Sequence, residues 1–325
     1  MRAMTLVTIG DVQSAATRVL GQVVRTPLLP CPWADNARPL WLKPENLQPT
    51  GAFKLRGVLN ALGALTAATR GRGVITHSSG NHGRALAWAA RSYAVPVVVV
   101  MPDTSPAVKI DGIRAIGAEI VMVPASEREA RTAAIAAERG LAVIPPFDHA
   151  DVIAGQGTVG LEIVEDLTDP ATVLVPVGGG GLISGVAVAV KAISPSTRVV
   201  GVEPELAGDL AEGFRRKERV VWDSALTART IADGVRLPAV GELTWRHISR
   251  LVDDVVTVSE QSIVDAMALL ASSSRVVAEP SGALTTAAYL ERPEAASGRT
   301  VAVVSGGNVD PVLLASALST ASTFR

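Results

Sequence analysis

The stretch Val173-Leu174-Val175-Pro176-Val177-Gly178-Gly179-Gly180-Gly181-Leu182-Ile183-Ser184-Gly185 decides the reading of this chain. A β-branched run delivers four consecutive glycines to the start of a helical pattern. Backbone without Cβ atoms can wrap closely around an anion, and the N–H groups of a helix start point at it. The glycines do not match G-x-G-x-x-G, because the last position falls on Ile183 or Ser184 depending on the frame. That counts against a dinucleotide fold. A strand–glycine–helix order favours a phosphate cup over a merely flexible loop.

Working outward, short β-branched runs alternate with longer alanine-rich segments, the pattern of βαβ units around a mostly parallel sheet. Strands are expected at Val74–Thr76, Val97–Met101, Ile120–Val123, Val173–Val177, Val199–Val202 and Val301–Val304, and helices at Arg84–Ser92, Val108–Gly117 and Arg128–Arg139. Gly73, Gly117 and Gly140 fall where turns or helix ends need positive φ. The segment from Asp209 to Ala232 is the most charged and least patterned, and is expected at the surface. No internal repeat or low-complexity linker interrupts the chain.

Composition narrows the class. At 325 residues with 48% hydrophobic content, the chain suits one large or two mid-sized lobes. A formal net charge of −1 gives no global field for nucleic acid or an anionic membrane. The most apolar run, Val95 to Met101, is far too short to span a bilayer and reads as a buried strand. A single cysteine, Cys31, and the lack of an apolar N-terminal leader fit a soluble cytoplasmic protein. The four histidines show no zinc spacing.

Only five of the 30 basic residues are lysines, and one of them, Lys54, stands in Gln48-Pro49-Thr50-Gly51-Ala52-Phe53-Lys54-Leu55-Arg56-Gly57. Pro49 and Gly51 end the preceding segment, and a helix is expected from near Phe53 through Leu62. An ammonium at a helix N-terminus meets the positive end of the macrodipole, which lowers its pKa. A neutral amine is what Schiff-base chemistry requires. Alone, Lys54 reads as a solvated lysine on a first turn; its companions change that. Ser78-Ser79-Gly80-Asn81-His82-Gly83 follows the strand at Val74, where a turn into a helix offers N–H groups to a carboxylate or phosphate. Ser305-Gly306-Gly307-Asn308-Val309-Asp310 ends the last strand, the edge where ligands gather in parallel sheets.

Taken in order, these motifs resemble the fold-type II pyridoxal 5′-phosphate (PLP) enzymes, especially the serine racemase and serine/threonine dehydratase branch. The likeness runs from about Thr26 to Val309. It includes Val152-Ile153-Ala154-Gly155-Gln156-Gly157-Thr158, Ile231-Ala232-Asp233-Gly234-Val235 and Glu279-Pro280. The resemblance implies an α/β fold of two open twisted parallel-sheet domains with the cofactor between them. A large domain would comprise residues 1–65 and 150–325, and a small substrate-closing domain residues 66–149. It implies PLP held as an imine on Lys54, with Phe53 packed on the ring and Asn81 bonded to the ring hydroxyl. Gly178, Gly179, Gly180, Gly181 and Leu182 would hold the phosphate. Glu279 would lie beside the cofactor, and Ser305 would meet the pyridine nitrogen. A neutral serine there does not enforce a pyridinium, which favours expelling a β-leaving group over storing a carbanion. Ser78, Ser79, Asn81, His82 and Gly234 would bind substrate. Lys54 would remove the Cα proton, and the cofactor phosphate is the family's plausible proton donor to the leaving hydroxyl.

The implied activity is therefore dehydration of L-threonine or L-serine to the 2-oxo acid and ammonia. Ser79 is a departure: dehydratases of this branch carry alanine there and racemases carry serine, as the acid/base opposite the lysine. Serine racemisation with dehydratase side activity is the competing expectation. Three features pull back toward the dehydratases: Leu237-Pro238 follows Arg236 where racemases have serine, the racemase arginine that contacts substrate falls near Glu129 with Arg128 shifted by one place, and Ile144-Pro145-Pro146-Phe147-Asp148 looks like the dehydratase version. Another 3-hydroxy-amino acid, such as 3-hydroxyaspartate or phenylserine, is a further option. Glu203-Pro204-Glu205-Leu206-Ala207-Gly208-Asp209 resembles the family's divalent-metal loop, in which Glu203, Ala207 and Asp209 would supply oxygen ligands for Mg²⁺, Mn²⁺ or Ca²⁺. The family usually forms homodimers. About 16 residues follow Val309, too few for a C-terminal regulatory domain.

Overall fold

The computed structural model describes residues 5–78, 80–105 and 107–320. Ten strands form two sheets. The larger has the order β1-β2-β10-β7-β8-β9, built from Leu29–Pro30, Leu40–Pro44, Thr300–Val304, Thr172–Pro176, Arg198–Pro204 and Asp254–Val258 respectively. All its pairings are parallel except β1 against β2. The smaller sheet is wholly parallel, with the order β5 (Glu119–Val123), β4 (Val97–Pro102), β3 (Val74–His77), β6 (Ala142–Val143). Its central strands β3 and β4 are rich in buried β-branched residues because helices pack on both faces. The fold is α/β with two mainly parallel sheets. No helix among the described residues is long and apolar enough to cross a membrane.

Strand order explains why distant motifs meet. β10 lies between β2 and β7, so the segments leaving these three strands emerge side by side. They carry Lys54, Ser305 and the glycine run. Phe53 N–H donates to Ser305 O (3.0 Å), Gly307 N–H donates to Gly51 O (2.9 Å), and Ala52 bridges Gly306. The lysine segment is thus tied by its backbone to the end of β10.

The helix Lys54–Ala64 is set by contact and by charge. It crosses the helix Ala150–Asp166 at Gly57 and Gly155, so closely that a Cβ on Gly155 would lie 2.6 Å from Gly57 Cα. Beneath it, fully buried Arg56 makes paired contacts with Glu45 (2.7 and 2.8 Å) and Glu162 (2.7 and 2.9 Å). Lys43 Nζ completes the cluster on Glu162 and Thr26 O, both at 2.6 Å. Two cations and two carboxylates balance.

Sequence expectations for the six named strands hold to within two residues at each end. The helix Arg128–Arg139 appears as read, and Gly73, Gly117 and Gly140 have φ of 114°, 101° and 65°. The expected helix at Val108–Gly117 spans Ala107–Arg114. The reading of Asp209 to Ala232 as surface needs correction. Asp209–Arg216 is an amphipathic helix that buries Asp209, Leu210, Ala211 and Gly213, and exposure is concentrated after Phe214. Its charges lie on one side, which a composition-based reading does not resolve. β2 escaped notice because Leu40-Trp41-Leu42-Lys43-Pro44 carries a lysine whose partner, Glu162, is 119 residues away.

Candidate active site

Lys54 opens its helix, and its Nζ donates to Pro146 O at 2.7 Å. Nζ also stands 5.0 Å from the centre of the Phe53 ring. Burial lowers its pKa to about 8, against the opposing pull of Glu279. The direction is the one the helix start suggested, but burial is the main cause. Among the described residues Lys54 makes no ion pair like that of Lys43 with Glu162, and burial favours its neutral form.

Facing it, the helix Asn81–Ser92 has no side-chain cap at its N-terminus. Asn81 Nδ2 donates to Glu279 Oε1 (2.6 Å), and Asn81 Oδ1 accepts from Asn308 Nδ2 (2.8 Å). Asn308 Nδ2 also donates to Thr50 O (2.9 Å), and Arg84 donates to Asn308 Oδ1 (3.2 Å). These contacts orient the Asn81 amide with its NH₂ toward Glu279. Gly51, at φ +76°, makes room: a Cβ there would lie 2.4 Å from Asn308 Oδ1. Sequence reasoning quoted Asn308 within its motif but gave it no role; its place after two glycines at a strand end was the available signal.

His82 is buried, and its Nε2 lies 2.9 Å from Ile144 O. A carbonyl only accepts, so Nε2 carries the proton and Nδ1 is left as an acceptor, without a partner in this structure. Burial, reinforced by the nearby Lys54 charge, holds the His82 pKa at about 3. A neutral ring of this tautomer has no N–H to offer a carboxylate. Ser78 Oγ accepts from Gly80 N–H at 3.3 Å. Ser79 lies outside the described residues.

The glycine run leaves its backbone bare, and neighbouring segments approach it more closely than side chains would allow. A Cβ on Gly179 would sit 2.2 Å from the Phe147 ring, and one on Gly178 would sit 3.0 Å from Val235 Cα. Gly180 adopts φ +86°, and Gly181 and Leu182 begin the helix Gly181–Ile193, which has no side-chain cap. Close backbone, left-handed φ and an uncapped helix start fit a phosphate. Ser305 is buried at the end of β10, its Oγ donating to Ser281 O at 3.4 Å. Gly234 N–H donates to Ser281 Oγ at 2.9 Å, so residues from two predicted motifs converge on Ser281, which sequence reasoning missed.

Glu203 and Asp209 lie apart from this group. Glu203 sits inside β8, not in a loop, and accepts from Leu210 N–H (3.3 Å) and Ala211 N–H (2.8 Å). Burial and then the charge of Asp209 raise the Glu203 pKa, and burial pushes Asp209 up to about 7. Asp209 Oδ2 has no hydrogen-bond partner, and Ala207 is buried between them in sequence. Among the described residues, no cluster of three or more His, Cys, Asp or Glu could hold a metal.

Residues 19–306 match the family described as pyridoxal-phosphate dependent enzyme. The chain is 41% identical over 312 residues to L-threo-3-hydroxyaspartate ammonia-lyase of Saccharomyces cerevisiae, covering 94% of this chain and 95% of that protein. It is 39% identical over 311 residues to L-threonine ammonia-lyase of Thermotoga maritima, covering 94% and 76% respectively. Among solved structures, that of maize serine racemase superposes with a TM-score of 0.91 at 38% identity, covering 97% of this chain and 98% of that one. With this family match and these relatives, the chain belongs to the fold-type II pyridoxal-phosphate dependent enzymes, in the serine racemase and threonine dehydratase family.

Proposed function

We propose that this enzyme is an ammonia-lyase that removes water from L-threonine or L-serine and releases the 2-oxo acid and ammonia. The observation that carries this reading is Lys54: a buried amine of lowered pKa, held by one carbonyl beside an uncapped helix start and the glycine cradle. Pyridoxal phosphate, when bound, supplies an electron sink conjugated to the substrate's Cα. Lys54 takes the Cα proton, since a neutral amine near pH 8 is a competent general base. Ser78 and the main-chain N–H groups at Asn81 and His82 bind the substrate carboxylate; His82 acts through its backbone because its ring has no N–H left to donate. With the cofactor bound, Asn81 would donate to the ring hydroxyl, Phe53 would pack on the ring, and Ser305 would meet its nitrogen without a charge. Gly178 to Leu182 would hold the phosphate, and Glu279 and Gly234 would complete the walls.

Phe147, packed on the glycine run, gives the site an apolar wall and supports a substrate with an uncharged β-substituent. The test is a panel of L-threonine, L-serine and L-threo-3-hydroxyaspartate given to the purified holoenzyme, with 2-oxo acid and D-serine both measured. Rapid 2-oxobutanoate formation from L-threonine is expected. Exclusive turnover of the dicarboxylate would move the substrate assignment, and D-serine without pyruvate would replace elimination by racemisation. Ser79 supports a racemase side activity, so Ser79→Ala is expected to abolish any D-serine formed.

The buried Glu203 and Asp209 pair, with an unpartnered Asp209 Oδ2, supports a divalent cation bound by both carboxylates and Ala207 O. Mg²⁺ is expected to raise the melting temperature of the parent protein and not of Asp209→Asn. A homodimer completes the reading, and sedimentation of the holoenzyme tests it.

A further inference from the structure

The tripeptide Pro146-Phe147-Asp148 leaves the smaller sheet and leads into the helix Ala150–Asp166. Each of its residues reaches a different part of the site. Pro146 O accepts from Lys54, and Phe147 packs against Gly179 and Gly181. The Asp148 carboxylate accepts three backbone N–H groups at the start of the helix Glu242–Leu251: Glu242 (3.1 Å), Leu243 (2.9 Å) and Thr244 (3.1 Å). The residue before that helix, Gly241, has no side chain to cap it, and a Cβ there would lie 2.3 Å from Asp148 Cγ. Asp148 therefore caps a helix about 95 residues away in sequence.

That helix grips the glycine run. Thr244 Oγ1 lies 2.8 Å from Gly179 O and 3.1 Å from Gly241 O, so its one hydrogen is shared with the shorter contact favoured. Gly241 N–H donates to the same Gly179 O at 3.2 Å. A Cβ on Gly180 would lie 2.9 Å from the Thr244 side chain, so the glycine backbone rests directly against it. The peptide unit is planar and trans, with C=O and N–H pointing opposite ways. Holding Gly179 O against Thr244 therefore turns the Gly180 N–H away from it, into the cradle.

We propose that Asp148 and Thr244 are positioning residues: Asp148 holds the start of the helix Glu242–Leu251, and Thr244 on that helix sets the peptide orientation of the phosphate cradle. The inference rests on the cofactor family and not on the choice of substrate. Its test compares binding of pyridoxal 5′-phosphate and of pyridoxal, which lacks the phosphate, to the full-length apoprotein by absorbance titration. Thr244→Val is expected to weaken pyridoxal phosphate by roughly 3- to 10-fold, the range of one lost hydrogen bond, and to leave pyridoxal within about twofold. Thr244→Ser is expected to restore parent affinity. Asp148→Asn keeps the contacts made by one oxygen and is expected to give a smaller loss, again confined to the phosphorylated ligand. Should Thr244→Val not fold, Asp148→Asn alone carries the comparison. Unchanged affinity for the phosphorylated ligand, or equal losses for both ligands, would overturn the proposal. A failed substrate panel would leave these titrations unaffected.

Discussion

Two polar regions flank the helix Lys54–Ala64, and they are finished differently. Beneath it, Arg56, Lys43, Glu45 and Glu162 form a closed set in which each ion has an opposite partner at hydrogen-bond distance. At its first turn, Lys54 has one carbonyl, and the nearby His82 Nδ1 has no hydrogen-bond partner among the described residues. Burial acts on both. In the first region charge pairing overcomes it for Glu45, held below the usual carboxylate range by Arg56 despite complete burial, although burial still lowers the Lys43 pKa. In the second, burial outweighs the pull of Glu279 on Lys54 and of the Ile144 carbonyl on His82, and appears as an amine of low pKa and an imidazole that stays neutral. Satisfied groups hold the helix in place; unsatisfied ones are left for a ligand.

The sharpest way to break this contrast is to exchange what the two regions lose. Lys54→Ala is expected to cut 2-oxo acid formation on the order of 10³-fold or more, while its urea midpoint as apoprotein stays at or above the parent's. A clear fall in that midpoint would place Lys54 among the structural cations. Glu45→Gln leaves Arg56 short of a counter-charge and is expected to cost about 3–5 kcal/mol by urea denaturation. Residual enzyme at low temperature should keep its substrate preference. A loss under 1 kcal/mol would show the cluster to be dispensable.

Smaller effects follow from the pKa values. Lys54 binds a proton more weakly folded (about 8) than unfolded (10.5). The burial penalty on its ammonium is fully present below pH 8 and is relieved as pH rises toward 10.5, so apoprotein stability should climb there relative to Lys54→Met. Cofactor capture by the apoprotein needs the neutral amine, and its rate should rise with pH and level off above about 8. A profile rising only near 10 would mean that Lys54 is solvated. For His82, nitrogen NMR should find Nε2 protonated and Nδ1 bare at pH 5; a protonated Nδ1 there would return the ring to carboxylate binding.

Much of the site was legible because strand–loop–helix junctions leave local marks. The glycine run, the turn before Asn81 and the serine-glycine loop after Val304 each stand at a strand end and show it in their residue types. Glycine advertises its own conformational need, as Gly180 and Gly51 do through positive φ. What was missed lacks such a mark. Asp148 caps a helix that begins near residue 242, Glu162 serves a lysine in β2, and Ser281 collects contacts from Gly234 and Ser305. Their side chains are ordinary and their partners remote.

The sequence alone determined the class of fold and the cofactor family, because hydrophobic period and turn chemistry are local properties. Tertiary structure decided the surroundings of Lys54. Strand order placed β10 between β2 and β7, and so brought Lys54, Ser305 and the glycine run to one edge. Burial, more than the helix start, lowered the Lys54 pKa, and burial together with the Ile144 carbonyl fixed the His82 proton. Desolvation depends on everything packed around a group, and no stretch of chain contains that information alone.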